Sequence, residues 1–318
     1  MVIASERELE VADRVTLPLG EKVAVRHTEV VMHVPIEVAA RARTRAQELG
    51  IDALVAVGGG STTGLAKAIA LTSGLPIIAV PTTYAGSEAT PVWGMTEGGH
   101  KTVGNDPRVL PVAIVYDATL TLSLPVALSV ASGLNAVAHC VDSMWAPKAD
   151  PINAALAAEG IRALTLGLPR VARAPSELEG REQTLVGAYL AAAAFASAGS
   201  GLHHKICHTL GGNYNLPHAE THAIVLPYVL AMNVRGAPDA EQRMATAFAA
   251  TSALTGLLAL KTALGAPKAL RDYGLRDTDL DAAAAAILPA VPPSNPVPVT
   301  KDALVALLRA AWEGSAPR

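Results

Sequence analysis

The part of the chain best suited to chemistry is a short segment rich in histidine. Five of the nine histidines fall within twenty residues, at His203, His204, His208, His218 and His222. An imidazole exchanges protons near neutral pH and is the commonest metal ligand, so the segment predicts either proton transfer or metal binding. A single histidine is more often a helix cap or a satisfied core residue, and the grouping is what favours function.

The spacing of these residues indicates how their side chains could converge. His204 and His208 are four residues apart. Asn135 and His139, earlier in the chain, have the same spacing, which places both members of each pair on one helix face. His218 follows a proline at a predicted helix start and could complete the group from a third element. Three imidazoles with one open position would suit a divalent transition metal.

A glycine-rich turn lies between an apolar run and a predicted helix in residues 55–64. It contains a run of small residues: Gly58, Gly59, Gly60 and Ser61. Glycines let the backbone approach a ligand, and a helix N-terminus offers N–H groups and a positive dipole end to a pyrophosphate. The turn matches neither the G-x-G-x-x-G fingerprint nor a Walker loop, and alone it could be an ordinary strand-to-helix connection.

A second polar turn follows the next predicted strand, and its candidate cofactor contacts are Thr82, Thr83 and Ser87. Ligands of open α/β sheets bind at the carboxyl ends of the strands, so two such turns favour a nucleotide site. The alternative is ordinary helix capping by serine and threonine.

The elements around these motifs predict two domains. Short apolar runs at residues 53–57, 76–80 and 112–116 alternate with helical segments, which is typical of a parallel, Rossmann-like sheet in residues 1–124. Residues 125–318 predict an all-α domain with long helices at 153–166, 181–198, 244–264 and 301–312.

The first residues predict a strand at 1–4 followed by a helix capping box formed by Ser5 and Glu8. A domain of this type normally has sequence before such a strand, so we expect that a natural N-terminal piece is missing.

Composition narrows the possible partners. The 318 residues carry a formal net charge of −3, which gives no basic excess for nucleic acid, and no apolar run approaches the roughly 20 residues that span a membrane. No secretion signal is evident, so a cytoplasmic location is expected, and a homodimer is the base-rate expectation for assembly. Cys140 and Cys207 are too few for a disulfide scaffold and are predicted to be free thiols.

The chain resembles the iron-type alcohol dehydrogenase superfamily. The resemblance rests on four segments in the family's order, at residues 58–61, 81–83, 133–139 and 201–218, and it covers essentially the whole chain. It implies a dinucleotide-binding α/β domain, a helical domain and an active site in the cleft between them, in a dehydroquinate synthase-like architecture.

Two positions depart from the superfamily pattern and resemble one branch of it. Asn135 stands where the superfamily usually has an aspartate metal ligand, and Gly64 stands where the glycine-rich turn usually continues to an aspartate. Residues 82–94 also match this branch, whose members degrade aromatic compounds by reducing a carbon–carbon double bond of a small dicarboxylate.

The resemblance implies the roles of the site residues. The metal-site equivalents are Asn135, His139, His204 and His218, and His208 matches an additional active-site histidine. Because Asn135 replaces an anionic ligand, we expect no metal, or weakly bound adventitious zinc, with the three histidines as residual ligand candidates.

The reaction that the resemblance implies is a conjugate reduction, in which a hydride adds to a double bond next to a ketone. Hydride from the nicotinamide reaches the alkene carbon β to the ketone, and an enolate forms that histidines stabilise and protonate. His139, His204 and His218 are predicted to frame the substrate, and His208 is the predicted proton donor.

Lys101 and Lys205 are candidates for binding the two carboxylates of the substrate, with surface lysines as the alternative interpretation. Ser5 and Glu6 lie near the end of the first strand, where an acidic residue usually binds the adenosine ribose. Because serine is small and uncharged, NADPH stays an alternative to the expected NADH.

Three other functions remain open at this point. A metal-dependent alcohol or aldehyde dehydrogenase on the same fold would require bound iron or zinc. A nucleotide-binding but inactive chain would bind cofactor without turnover. A non-redox lyase of the dehydroquinate synthase type is weakened by Asn135, since that chemistry depends on a metal.

Overall fold

The computed structural model describes residues 1–98 and 100–317, and of His100 it describes the backbone alone. The chain divides into two compact units, Met1–Leu124 and Pro125–Arg318. The first is built on a parallel sheet and the second is helical, which confirms the predicted fold class.

The N-terminal unit is built on a five-stranded parallel sheet. Its strands in chain order are β1 (Val2–Ile3), β2 (Arg26–His27), β3 (Leu54–Gly58), β4 (Ile77–Pro81) and β7 (Ala113–Ile114). They lie side by side in the order β2-β1-β3-β4-β7. The three runs predicted from apolar sequence are therefore strands, although the last is shorter than the predicted 112–116.

Helices cover both faces of this sheet. They are α1 (Leu9–Thr16), α2 (Ile36–Glu48) and α3 (Gly60–Ser73). Ile3 packs with α2 and α3 on one face, whereas Val2 packs with Ala12 of α1 on the other. Because successive strand residues point to opposite faces, a strand covered on both sides must be apolar throughout.

An antiparallel hairpin joins this unit and was not predicted. It pairs β5 (Val92–Glu97) with β6 (His100–Asn105), in a register that sets Thr96 opposite Lys101. The residues of β5 are only partly buried, so the segment lacks the apolar run that revealed the other strands.

The predicted capping box at the first helix is wrong. Ser5 precedes a 3-10 turn, Glu6–Glu8, in which the backbone N–H of Glu8 donates to the carbonyl of Ser5. The Ser5 hydroxyl instead donates to the carboxylate of Glu8 at 2.8 Å. The tight turn satisfies the backbone donor by itself, which frees both side chains for other partners.

The C-terminal unit consists of nine α-helices in its described residues. They are α4 (Val126–Ser143), α5 (Pro151–Arg173), α6 (Leu178–Ala198), α7 (Leu202–Tyr214), α8 (His218–Asn233), α9 (Pro238–Ala247), α10 (Ala253–Ala263), α11 (Leu280–Ile287) and α12 (Lys301–Glu313). The predictions at 153–166, 181–198 and 301–312 are confirmed as α5, α6 and α12.

The single helix predicted at 244–264 is wrong, because the chain breaks there into α9 and α10. Ala249 adopts a left-handed conformation with φ 53°, and the hydroxyl of Ser252 caps the next helix by accepting from the backbone N–H of Thr255. Ser252 is a favourable N-cap residue, but alanine gives no sequence signal for a left-handed turn.

Close helix packing accounts for one of the cysteines. A Cβ added at Gly160 of α5 would lie 2.7 Å from Cys140 Sγ of α4, so glycine is what lets the two helices approach. Cys140 and Cys207 are both buried free thiols, as predicted.

No single described helix is long and apolar enough to cross a membrane. Helices α6 and α7 together meet that test by length and composition, but they are bent by 98° at the break between them.

Candidate functional site

The histidine segment is positioned by a sharp bend between α6 and α7. Gly199, with φ 86°, ends α6, and α7 begins two residues after Ser200, at Leu202. The buried carboxylate of Asp142, on α4, is hydrogen-bonded to the start of α7. It accepts from the backbone N–H groups of Gly201 at 2.9 Å and His204 at 3.2 Å. Asp142 therefore fixes where the first histidines of α7 lie.

Asp142 also orients the imidazole of His204. Its Oδ2 lies 2.7 Å from His204 Nδ1, and both side chains are almost completely buried. Burial lowers the pKa of His204 to about 3, so the ring is neutral and its one proton is placed on Nδ1 by the carboxylate. His204 Nε2 is then a lone-pair nitrogen, and it is buried without a hydrogen-bond partner.

His139 lies beside His204, and Asn135 precedes His139 by four residues on α4. The rings of His139 and His204 stack at 5.0 Å, and Phe195 contacts both at 4.7 and 4.3 Å. Burial, followed by the neighbouring His204, holds the pKa of His139 well below its ordinary value. His139 Nδ1 and Asn135 Oδ1 are buried without a hydrogen-bond partner, which leaves them available to a ligand.

The remaining predicted histidines extend the same cluster. His208 lies 5.9 Å from His204 and 6.2 Å from His218, measured between ring centroids. The four predicted catalytic residues are therefore brought together in a continuous series of ring contacts. Three helices supply them, since His139 is on α4, His204 and His208 are on α7, and His218 begins α8.

His222 lies at the centre of this cluster and was not among the predicted site residues. Its ring contacts those of four other histidines at 4.3 to 6.5 Å: His203, His204, His208 and His218. His222 Nδ1 also lies 2.9 Å from His203 Nε2, with Cys207 Sγ 3.7 Å from the same nitrogen of His203. The spacing of four from His218 was a usable signal, because it puts both residues on one face of α8.

The donors present can be tested against a metal ion. Within the described residues, the one group of three ligand atoms lying within 4.8 Å of one another is His203, Cys207 and His222, and this is not the predicted set. The predicted set nevertheless presents three buried unpaired donors, on Asn135, His139 and His204. A lone-pair Nε2 whose ring is held through Nδ1 by a carboxylate is the usual state of a metal-binding histidine. By donor type these residues suit a divalent cation, although every donor is neutral and the described part of the chain does not place the ligand atoms of His139, His204 and His218 within 4.8 Å of one another.

The glycine-rich turn in the N-terminal unit has the predicted geometry for close approach. Gly58 has φ 154°, and a Cβ at Gly59 would lie 2.8 Å from Thr83 Cγ2. Gly59 is the N-cap of α3 and Gly60 its first residue, so Ser61 stands in the first turn of the helix. The first-turn N–H groups meet no capping side chain, which suits an anionic ligand.

The second polar turn is held by a buried lysine. Lys67 Nζ donates to the carbonyls of Ser87 at 2.6 Å, Thr90 at 2.7 Å and Val92 at 2.8 Å. Burial lowers the pKa of Lys67 to about 7, with the charge of Glu88 acting in the opposite direction. Ser87 thus serves this turn through its backbone, and Lys67 is a structural residue that the sequence did not reveal.

Of the remaining predicted residues, Thr82 and Ser5 both donate to the carboxylate of Glu8. Lys205 follows His204 on α7, and its charge helps to lower the pKa of that histidine. Lys101 lies on β6 of the N-terminal unit, where burial lowers its pKa. Both lysines are partly buried, and only Lys205 belongs to the unit that carries the histidine cluster.

Comparison with known proteins identifies the class. Residues 1–118 match the iron-containing alcohol dehydrogenase family, and residues 129–312 match the C-terminal domain of the same family. The chain therefore belongs to the iron-containing alcohol dehydrogenases. The predicted absence of a metal gains no support from this result, because the family is described by its iron.

Particular relatives narrow the resemblance. The chain is 44% identical over 318 residues to a maleylacetate reductase of Pseudomonas sp. strain P51, covering 100% of this chain and 90% of that protein. The crystal structure of maleylacetate reductase from Rhizobium sp. strain MTP-10005 has a TM-score of 0.92 at 44% identity, with 99% and 90% of the two chains covered. An iron-containing alcohol dehydrogenase from Corynebacterium glutamicum has a TM-score of 0.97 at 60% identity, with 100% and 88% covered.

Proposed function

We propose that this protein reduces the carbon–carbon double bond of maleylacetate to give 3-oxoadipate, with NADH as the hydride donor and NADPH as the alternative. The observation that carries the proposal is the match to maleylacetate reductases along the full chain, at 44% identity with the protein of Pseudomonas sp. strain P51. The cluster of histidines supports it, because it supplies hydrogen-bonding groups around one site.

The substrate explains why a neutral site is useful. Maleylacetate carries two carboxylates, and an aspartate at position 135 would repel a dianion, whereas Asn135 can donate an amide N–H to one of its oxygens. The ammonium of Lys205 beside the cluster offers an opposite charge for a carboxylate, and Lys101 is the second candidate. Removing one fixed negative charge therefore favours binding of this substrate class.

The histidines then have separate roles. Hydride transfer to the carbon β to the ketone places negative charge on the ketone oxygen, and the α carbon must take up a proton. His208 supplies that proton, and His139 and His218 hold the substrate by hydrogen bonds. His204, fixed by Asp142, presents a lone pair and therefore serves as an acceptor or ligand instead of a proton donor. A divalent cation held by Asn135, His139, His204 and His218 would polarise the ketone oxygen.

The dinucleotide is assigned to the carboxyl edge of the parallel sheet. The turn formed by Gly58, Gly59 and Gly60, with Ser61, would receive the pyrophosphate at the N-terminus of α3. Thr82, Thr83 and Ser87 follow the neighbouring strand, and Ser5 follows β1 on the other side.

The test is loss of reduced-nicotinamide absorbance with freshly prepared maleylacetate, in parallel samples with and without a strong chelator. Rapid oxidation of NADH supports the reductase, and chelator sensitivity decides whether the neutral donors work with a bound cation.

A second candidate, alcohol or aldehyde oxidoreduction, is favoured by the 60% identity to the Corynebacterium glutamicum protein. The same assay with primary alcohols and aldehydes would replace the first proposal if only those compounds are turned over. Cofactor binding without any turnover would indicate an inactive chain.

A further inference from the structure

The carboxylate of Glu8 is the meeting point of three hydroxyl groups. It accepts hydrogen bonds from Thr82 Oγ1 at 2.7 Å, from Ser5 Oγ at 2.8 Å and, more weakly, from Thr62 Oγ1 at 3.4 Å. Thr62 and Thr82 are almost completely buried, with 2% and 6% of their surface exposed. The contacts hold Glu8 in one orientation although it lies outside every strand of the sheet.

These partners place the carboxylate over three adjacent strands. Ser5 follows β1, Thr62 lies in the first turn of α3 after β3, and Thr82 follows β4, and β1, β3 and β4 are neighbours in the sheet. A Cβ at Gly58 would lie 2.6 Å from Glu8 Oε2, so the carboxylate rests directly against the glycine-rich turn. An acid therefore stands at the strand ends where a dinucleotide is proposed to bind.

The chemistry of this position discriminates between two dinucleotides. An ionised carboxylate only accepts hydrogen bonds, and a ribose 2′,3′-diol offers two donors to it. A 2′-phosphate offers no donor at neutral pH and adds negative charge next to the carboxylate. The three partners of Glu8 are uncharged hydroxyls, so none of them offsets that repulsion.

We propose that Glu8 sets the preference of this protein for NADH over NADPH by accepting hydrogen bonds from the adenosine ribose. The inference deepens the proposed function, because it rests on dinucleotide binding at this sheet edge. Ser5, which the sequence suggested for the same role, instead positions Glu8 through its hydroxyl. Glu8 lies three residues further along, and the 3-10 turn at Glu6–Glu8 carries it back over the strand ends.

The experiment is an equilibrium titration of the full chain with NADH and with NADPH, followed by nicotinamide fluorescence. The wild-type protein should bind NADH more tightly. The Glu8→Gln variant keeps the size of the side chain and removes its charge, so the ratio of the two dissociation constants should fall by about tenfold or more. The matched control is Glu10→Gln, which removes the same charge from an exposed residue of α1 and should leave the ratio unchanged.

A second variant guards against a general loss of structure. Glu8→Asp retains the charge and should keep the preference for NADH even if both affinities decrease. A wild-type protein that binds the two dinucleotides equally, or neither, would overturn the inference, and so would a Glu8→Gln ratio equal to that of wild type. The titration contains no maleylacetate, so a protein that prefers NADH but fails to reduce maleylacetate would refute the proposed function and leave the role of Glu8 standing.

Discussion

Asp142 and His204 form a buried pair in which the carboxylate Oδ2 lies 2.7 Å from imidazole Nδ1. Burial raises the pKa of Asp142, but the same carboxylate oxygen accepts two backbone N–H groups at the start of α7, and these bonds favour its ionised, accepting form. The proton of the pair therefore resides on His204 Nδ1, and Nε2 faces the cluster as a lone pair. One aspartate thus determines both the position and the tautomer of this histidine.

Replacing Asp142 with asparagine should lower kcat by about 10- to 100-fold, because the amide oxygen that would occupy the Oδ2 position is uncharged and holds the Nδ1 proton of His204 less firmly than a carboxylate does. The measurement is steady-state NADH oxidation, with a thermal unfolding curve to show that the protein remains folded. Asp239→Asn, at an exposed position of α9, is the matched control and should behave as wild type. An unchanged kcat in Asp142→Asn would show that the negative charge of Asp142 is not needed to hold His204 in its working state.

Asn135→Asp should move the site towards cation binding. An added carboxylate strengthens the donor set for a hard or borderline dication, and it also repels a dianionic substrate. We expect more iron or zinc retained per chain after desalting and a higher KM for maleylacetate, with the KM for NADH unchanged. Asn213→Asp makes the same change at an exposed position of α7 and should alter neither quantity. Equal metal content in Asn135→Asp and wild type would argue against a ligand role at this position.

The sequence predicted the strands and helices that depend on local pattern, and it missed the features that depend on how the helices pack against one another. Strand β3 and helix α12 were readable because their apolar runs and periodicity are continuous. Asp142 was missed because its importance depends on which turn of α4 meets the start of α7, and a single sequence does not contain that register. The break at Ala249 was missed for a different reason, since an alanine with positive φ is stabilised by the helices around it and not by its own preference.

His208→Gln tests the assigned proton donor. General acid catalysis typically contributes about 10²- to 10⁴-fold, so kcat should fall within that range while the dissociation constant of NADH stays constant. Thr209→Ala is a suitable control, because its hydroxyl donates only to the carbonyl of Lys205 on the same helix. A kcat within a few-fold of wild type would transfer the donor role to another member of the cluster.

The glycine-rich turn offers a matched pair of substitutions. A Cβ at Gly58 would lie 2.4 Å from Thr62 Oγ1 and would require a strained backbone at φ 154°, whereas a Cβ at Gly60 would meet only Ala85 Cβ at an ordinary 3.5 Å. Gly58→Ala should therefore weaken NADH binding by about tenfold or more, and Gly60→Ala should change it far less. Titration with NADH distinguishes the two, and equal effects would mean that the turn is not held close to the cofactor.

Lys67→Met tests whether the buried ammonium holds the turn after β4. Methionine fills much of the same volume but donates nothing, so the carbonyls of Ser87, Thr90 and Val92 would lose their partner in the interior. Each unpaired buried acceptor costs about 1–3 kcal/mol, so the thermal midpoint should fall by several degrees. Lys22→Met, at an exposed position in the same unit, should leave the midpoint unchanged. Since the lysine acts by fixing the turn that carries Thr82 and Thr83, the Lys67→Met variant should also bind NADH less tightly. An unchanged thermal midpoint would show that the three carbonyls find other donors when the lysine is absent.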